Sequence, residues 1–370
     1  MPFSINTKLS DSPSLAEFLT NWNVGSSDLI VTNEYLLNPQ LNGQKAPCDV
    51  LFQEHFGSGE PTDQIVDKML SAIDGKPYER IIAIGGGTVI DIAKLFVFGD
   101  GMTCEKIFAE GTQLPRKRKL IVIPTTCGTG SEMTMISIVY FAQKGTKMGL
   151  AVPALFADEA VLIPNMLRTL PYEVFAACSI DALIHSVESY VSPKATPFSR
   201  AMGRDSVERI VRGYMALFAG GVRKLPDNEG MNSILAASVM GGIAFGNAGV
   251  GAVHALSYPI GGTYHVPHGK ANYMMFKAVF SAYKKYGADL SALEEVLSDT
   301  LECVRGEVWD KLFGLIDFIL PRQPISQLGI DEAKCKEMAA SVIQNQQRLL
   351  VNNPIPLNVE QVAEIYMKCM

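Results

Sequence analysis

The chain has 370 residues, 48% hydrophobic and 19% charged, a balance that supports two domains of ordinary size and excludes a disordered chain or one small domain. Its 32 Lys and Arg against 38 Asp and Glu leave a formal charge of −6, which argues against nucleic acid or an anionic membrane surface as partner. The N-terminus lacks the layout of a signal peptide, and no apolar run approaches the roughly 20 residues of a bilayer span. Seven scattered cysteines include no Cys-x-x-Cys pair, so a cytoplasmic protein with reduced thiols is expected.

Short apolar runs at Leu29–Thr32, Asp49–Gln53, Arg80–Ile84 and Lys119–Ile123 read as buried strands. Between the second and third, residues 61–73 carry Ile65, Val66, Met69, Leu70 and Ile73, the spacing of an amphipathic helix, and strand–helix–strand order implies a parallel sheet. The pattern changes at Pro164 to Pro171. Helical periodicity then dominates, at 175–191, 198–218, 231–245, 273–286 and 290–304. The expected organisation is an α/β domain with a parallel sheet over 1–170 and an all-α domain over 171–370, with a small-molecule site in a cleft at their junction.

The third strand runs into Gly85-Gly86-Gly87-Thr88 and then a helix-like segment containing Asp91 and Lys94. Glycines there admit close backbone approach, and a helix N-terminus favours phosphate, although a plain strand-to-helix turn reads the same way. Ile90 stands where the third glycine of a Rossmann fingerprint would be. The fourth strand ends in a second polar loop, residues 124–132, whose Thr125, Thr126 and Ser131 hydroxyls suit a pyrophosphate or ribose, or else cap a following helix.

Only five histidines are present. Asp181 and His185, four apart, share one helix face. His254 and His268 can complete a set of three nitrogens and one oxygen that suits Zn²⁺ or Fe²⁺ and leaves a position for substrate. Each histidine alone reads as an ordinary core or surface residue, and His55 reads as structural; clustering of the others between 185 and 268 is what favours a metal.

Together the motifs resemble the iron-containing (group III) alcohol dehydrogenase family nearly end to end: Gly85 to Thr88 with Asp91 and Lys94, 124–134, 181–192, 254–272 and Asn353-Pro354. The resemblance implies that the α/β domain over 1–170 is a dinucleotide-binding domain for NAD and the all-α domain over 171–370 a metal-binding and substrate domain, with a divalent metal (iron usually, zinc in some members), a small alcohol or aldehyde substrate and a homodimer or larger assembly. It puts Asp181, His185, His254 and His268 on the ligand positions and Gly86, Gly87 and Thr88 on the pyrophosphate loop. Asp91 is grouped with that loop, Thr125, Thr126 and Thr134 fall on the second nucleotide loop, and Lys147 falls near the nicotinamide ribose. Read by itself, Lys147 is a solvated loop charge. Asn33 stands where many members carry the ribose-binding Asp, so NAD is expected over NADP. Tyr258 stands where many carry a second histidine in a proton relay. A polyol dehydrogenase, a dehydroquinate-synthase-like lyase, a metal hydrolase and a non-catalytic binding protein are the competing readings; the lyase would need an Arg and Lys cluster beside the histidines.

Overall fold

The computed structural model describes residues 3–370 as two compact units, Ile5–Leu170 and Pro171–Met370, the latter with residues 3–4. In the first unit a six-stranded sheet has the order β1 (Lys8–Asp11), β8 (Glu159–Leu162), β5 (Lys119–Pro124), β4 (Arg80–Gly85), β2 (Asp28–Thr32), β3 (Asp49–Phe52). Every pairing is parallel. The four strands read from the sequence are those with near-continuous apolar runs, as covered parallel strands require. β1 and β8 had no such signal: β1 is a short edge strand, Lys-Leu-Ser-Asp, with exposed residues.

Helix Asp63–Ile73 buries Ile65, Val66, Met69, Leu70 and Ile73 against the sheet core, and Thr62 caps its N-terminus by accepting from the Ile65 N–H. The order in which successive strands are added reverses at β2: β3 lies on one side of it and β4 on the other. The carboxyl ends of strands flanking such a switch point are where open α/β sheets take ligands. A further hairpin, β6 (Ile136–Phe141) with β7 (Thr146–Ala151), follows the second polar loop. The helix that residues 124–132 might have capped is therefore absent from that place; a single turn, Ser131–Met133, leads into β6 instead.

The second unit is helical throughout its regular structure. Helices Tyr172–Val191, Pro197–Ala219 and Asn228–Ala248 pack together, and His268–Lys285 lies against the first of them. Ala252–Tyr264 is also a helix, one the sequence reading passed over because Pro259 interrupts its pattern. By length and composition the 20-residue Tyr172–Val191 helix is apolar enough to cross a membrane, which corrects the reading that no run approaches that length. Most of it is buried within the unit, and its buried residues include Asp181, His185 and Glu188.

Candidate metal centre and nucleotide loops

In the first unit, Gly86 is the N-cap of helix Gly87–Leu95. A Cβ on Gly86 would lie 3.0 Å from Thr126 Cγ2, and one on Gly87 would lie 2.8 Å from Thr129 Cγ2. The glycines therefore let the second polar loop close on the first, and Thr125 N–H donates to Gly85 O at 3.1 Å. Thr88 Oγ1 donates to Gly59 O at 3.3 Å.

Beneath the loops lies a buried network. Ser131 Oγ donates to Asp91 Oδ1 at 2.6 Å, and Ile138 N–H donates to Asp91 Oδ2 at 2.9 Å. Lys94 Nζ donates to Ser131 Oγ (2.8 Å), Thr134 Oγ1 (3.2 Å) and Ile136 O (2.6 Å). Asp91, Ser131 and Thr134 are thus joined to one another and hold the loops. Burial pushes the Asp91 carboxyl up, the Lys94 ammonium down to about 8 and the Glu132 carboxyl up to about 7, because desolvation outweighs the opposite charges nearby.

Lys147 corrects the reading of its residue alone. It sits on β7, buried, in an ion pair with Glu60. Asn33 is buried at the carboxyl end of β2 and donates from Nδ2 to Gln53 Oε1 (3.2 Å) and Glu54 Oε2 (2.7 Å). Glu54, which also accepts from Glu34 N–H at 2.6 Å, carried no sequence signal, since its place beside Asn33 depends on β2–β3 pairing.

In the second unit, Asp181 and His185 project from one face of the Tyr172–Val191 helix. His254 lies in the first turn of Ala252–Tyr264, and His268 opens His268–Lys285. One donor atom from each of the four lies within 4.8 Å of the others. Asp181 Oδ1 is 3.7 Å from His254 Nε2 and 3.8 Å from His268 Nε2, and Asp181 Oδ2 is 4.0 Å from His185 Nδ1. These separations are too long for hydrogen bonds and slightly wider than the ~3.4 Å that two ~2.1 Å bonds to a shared tetrahedral ion would span.

The donor set fits a divalent ion on a further ground. His254 Nε2 is buried without a hydrogen-bond partner among the described residues, a costly state that a metal bond relieves. Burial pushes the Asp181 carboxyl up, but His185, His268, His254 and the Asn272 amide together hold it below the usual carboxylate range, so its charged, ligating form is favoured. His185 is held in place by stacking on Phe245 at 4.3 Å and on His254 at 4.6 Å. Tyr258, one turn beyond His254, is buried with its ring 6.4 Å from that of His268.

Two residues that sequence reasoning missed support this cluster. Asn272 Nδ2 donates to Asp181 Oδ1 at 2.7 Å and lies 3.2 Å from His268 Nε2. Glu188 Oε2 is 2.6 Å from His254 Nδ1. Both had a signal in their spacing: Asp181, His185 and Glu188 stand at i, i+4 and i+7, and Asn272 is four beyond His268.

The sheet, the paired loops and the three-histidine, one-aspartate cluster together are those of a metal-dependent dehydrogenase, and two family models match: iron-containing alcohol dehydrogenase over residues 13–164 and its C-terminal region, the Fe-containing alcohol dehydrogenase family, over 175–370. The chain belongs to the iron-containing alcohol dehydrogenase family and is an oxidoreductase. The family replaces the lyase, hydrolase and binding-protein readings. Among relatives, it is 42% identical over 358 residues to 4-hydroxybutyrate dehydrogenase of Clostridium kluyveri, covering 95% of each chain. Its fold is similar to an iron-containing alcohol dehydrogenase from Thermococcus thioreducens (25% identity, TM-score 0.81, 100% and 99% of the two chains). A sulfoacetaldehyde reductase from Bifidobacterium kashiwanohense, solved in complex with NAD⁺, shares the fold at 18% identity (TM-score 0.83, 99% and 98%).

Proposed function

We propose that this chain is an NAD-dependent, metal-dependent dehydrogenase that interconverts 4-hydroxybutyrate and succinic semialdehyde. The convergence of Asp181, His185, His254 and His268 around an unpartnered buried Nε2 carries the metal-dependent part, and the 42% identity across 95% of the C. kluyveri enzyme supports the substrate. Asp181, His185, His254 and His268 hold the ion, Fe²⁺ in keeping with the family and Zn²⁺ by the same donor set. The chemistry supplied on binding is Lewis-acid polarisation of the aldehyde oxygen and delivery of hydride from C4 of the nicotinamide.

The chain's residues do the rest. Backbone N–H groups of Gly86, Gly87 and Thr88 meet the pyrophosphate at a helix N-terminus, with Thr125 and Thr126 on the facing loop. Asp91, Ser131 and Thr134 keep those loops together through the Lys94 network. Lys147, buried on β7 beside Glu60, serves the nicotinamide ribose. Asn33 meets the adenine ribose, and the adjacent Glu54 carboxylate opposes a 2′-phosphate, favouring NAD over NADP. Tyr258 gives the proton that turns the reduced oxygen into the alcohol. Tyr258→Phe should therefore lower kcat at least tenfold with metal content unchanged; an unaltered kcat removes Tyr258 from the relay.

A substrate carboxylate needs a cation or a nest of N–H groups. Lys270, Lys147 and Arg348 are the candidate cations: Lys270 pairs with Glu173 at 3.3 Å, Lys147 pairs with Glu60, and Arg348 is exposed on the Gln347–Leu350 helix. The assignment is tested by NADH oxidation with succinic semialdehyde against butyraldehyde, repeated with NADPH. The expected preference for succinic semialdehyde is 100-fold or more in kcat/KM, about 2.7 kcal/mol, with NADH the better coenzyme. Equal rates on the two aldehydes would leave a general alcohol dehydrogenase, and a tenfold preference for NADPH would refute the coenzyme assignment.

A further inference from the structure

We propose that Glu188 is a positioning residue that fixes the tautomer of His254 and so keeps a ligating lone pair aimed into the Asp181 cluster before any ion arrives. The inference rests on the metal-centre reading above and goes beyond it to a residue outside the ligand set. Glu188 stands one turn past His185 on the same helix and is 2% exposed. Its two carboxylate oxygens face two different donors. Oε1 accepts from Val253 N–H at 2.7 Å, and Oε2 lies 2.6 Å from His254 Nδ1.

For a neutral imidazole, the form that can ligate an ion, the chemistry of that pair of contacts leaves one arrangement. A carboxylate is an acceptor at both oxygens, so the imidazole proton sits on Nδ1. Nε2 is then the unprotonated nitrogen, and it is the buried, unpartnered atom 3.7 Å from Asp181 Oδ1. Glu188 thereby sets both the start of the Ala252–Tyr264 helix, through Val253, and the protonation pattern of its ligand, through the next residue. The cost of leaving Nε2 bare in a buried site is offset by the strong contact that Nδ1 makes with Glu188 on the other edge of the ring.

A glutamine cannot reproduce this. Its NH₂ must face either Val253 N–H, donor against donor, or His254 Nδ1. The second choice forces the imidazole to accept at Nδ1 and carry its proton on Nε2, where it cannot ligate. A purely structural role for Glu188 would lower stability without moving the tautomer. Two measurements separate these roles.

The first uses wild-type, metal-free protein labelled with ¹⁵N-histidine, in which long-range ¹H–¹⁵N correlation assigns the His254 tautomer. The expected result is Nδ1–H; an Nε2–H tautomer overturns the proposal without recourse to any variant. The second titrates Co²⁺ against a competing chelator into wild type and Glu188→Gln. The expected loss of affinity is 10- to 100-fold, with the His254 tautomer switched in the metal-free variant. Wild-type affinity in Glu188→Gln overturns the positioning role alone. Failure of wild type to bind Co²⁺ overturns the metal centre itself, and the inference with it.

Discussion

Replacing His268 by Ala is expected to remove bound metal and activity together, lowering kcat/KM by about 10³-fold or more. The figure follows from the several kcal/mol that Lewis-acid stabilisation contributes at ~1.4 kcal/mol per tenfold in rate. His268 is the informative choice among the four ligands. Its side chain is 33% exposed, whereas those of Asp181, His185 and His254 are almost wholly buried. Truncating it opens no cavity in the core and leaves no buried charge without a partner, so the melting temperature of the metal-free protein should change little. Metal content per chain, activity and thermal unfolding are measured on one preparation. An active, metal-free His268→Ala protein would remove the cluster from the mechanism.

The neighbouring position should respond almost as strongly, by a different route. A Cβ on Gly269 would stand 2.3 Å from the Ala177 carbonyl oxygen and 2.8 Å from its carbon. Those are backbone atoms of the helix that carries Asp181, and they have no rotamer into which to retreat. Gly269→Ala must therefore push the His268–Lys285 helix away, taking His268 and Asn272 with it. Asp181 then loses both the 2.7 Å hydrogen bond from Asn272 and a fellow ligand at the right distance. Displacement of about an ångström typically costs ~100-fold in rate, and overpacking of this kind costs roughly 1–3 kcal/mol in stability. We expect Co²⁺ affinity and kcat/KM each to fall about 100-fold, and the protein to unfold at lower urea. Gly314→Ala is the control: it lies within helix Val308–Ile319 of the same unit, where a Cβ meets nothing within 4 Å. Equal effects from both substitutions would mean that close helix approach at Gly269 does not set the site.

The parts of this molecule that could be read from its sequence are those written in local periodicity. β2, β3, β4 and β5 were legible because strands covered on both faces are continuously apolar, and their ends fell within one residue of Asp28–Thr32, Asp49–Phe52, Arg80–Gly85 and Lys119–Pro124. The edge strand Lys8–Asp11 and the β6–β7 hairpin were not, since β1 is polar and the hairpin follows a glycine-rich loop that resembles a helix start. Asp181 and His185 were legible as a pair because helical spacing places them together. That His254 and His268 join them is a matter of tertiary packing, suggested in the sequence by the clustering of histidines between 185 and 268 rather than by helical spacing. Residues that act through another side chain were hardest to see. Glu188 shares the ligand face but looks like any buried helix glutamate, Glu54 meets Asn33 only through strand pairing, and the burial of Lys147 depends on its partner Glu60.

The central claim is that one ion, held by Asp181, His185, His254 and His268, is required for aldehyde reduction by NADH. It is tested most directly by stripping the protein with a chelator and titrating Fe²⁺ or Zn²⁺ back while following NADH oxidation by succinic semialdehyde. The account predicts that stripping abolishes activity and that activity returns in proportion to added metal, with a break at one ion per chain. Undiminished NADH oxidation by protein shown to be free of metal would contradict it.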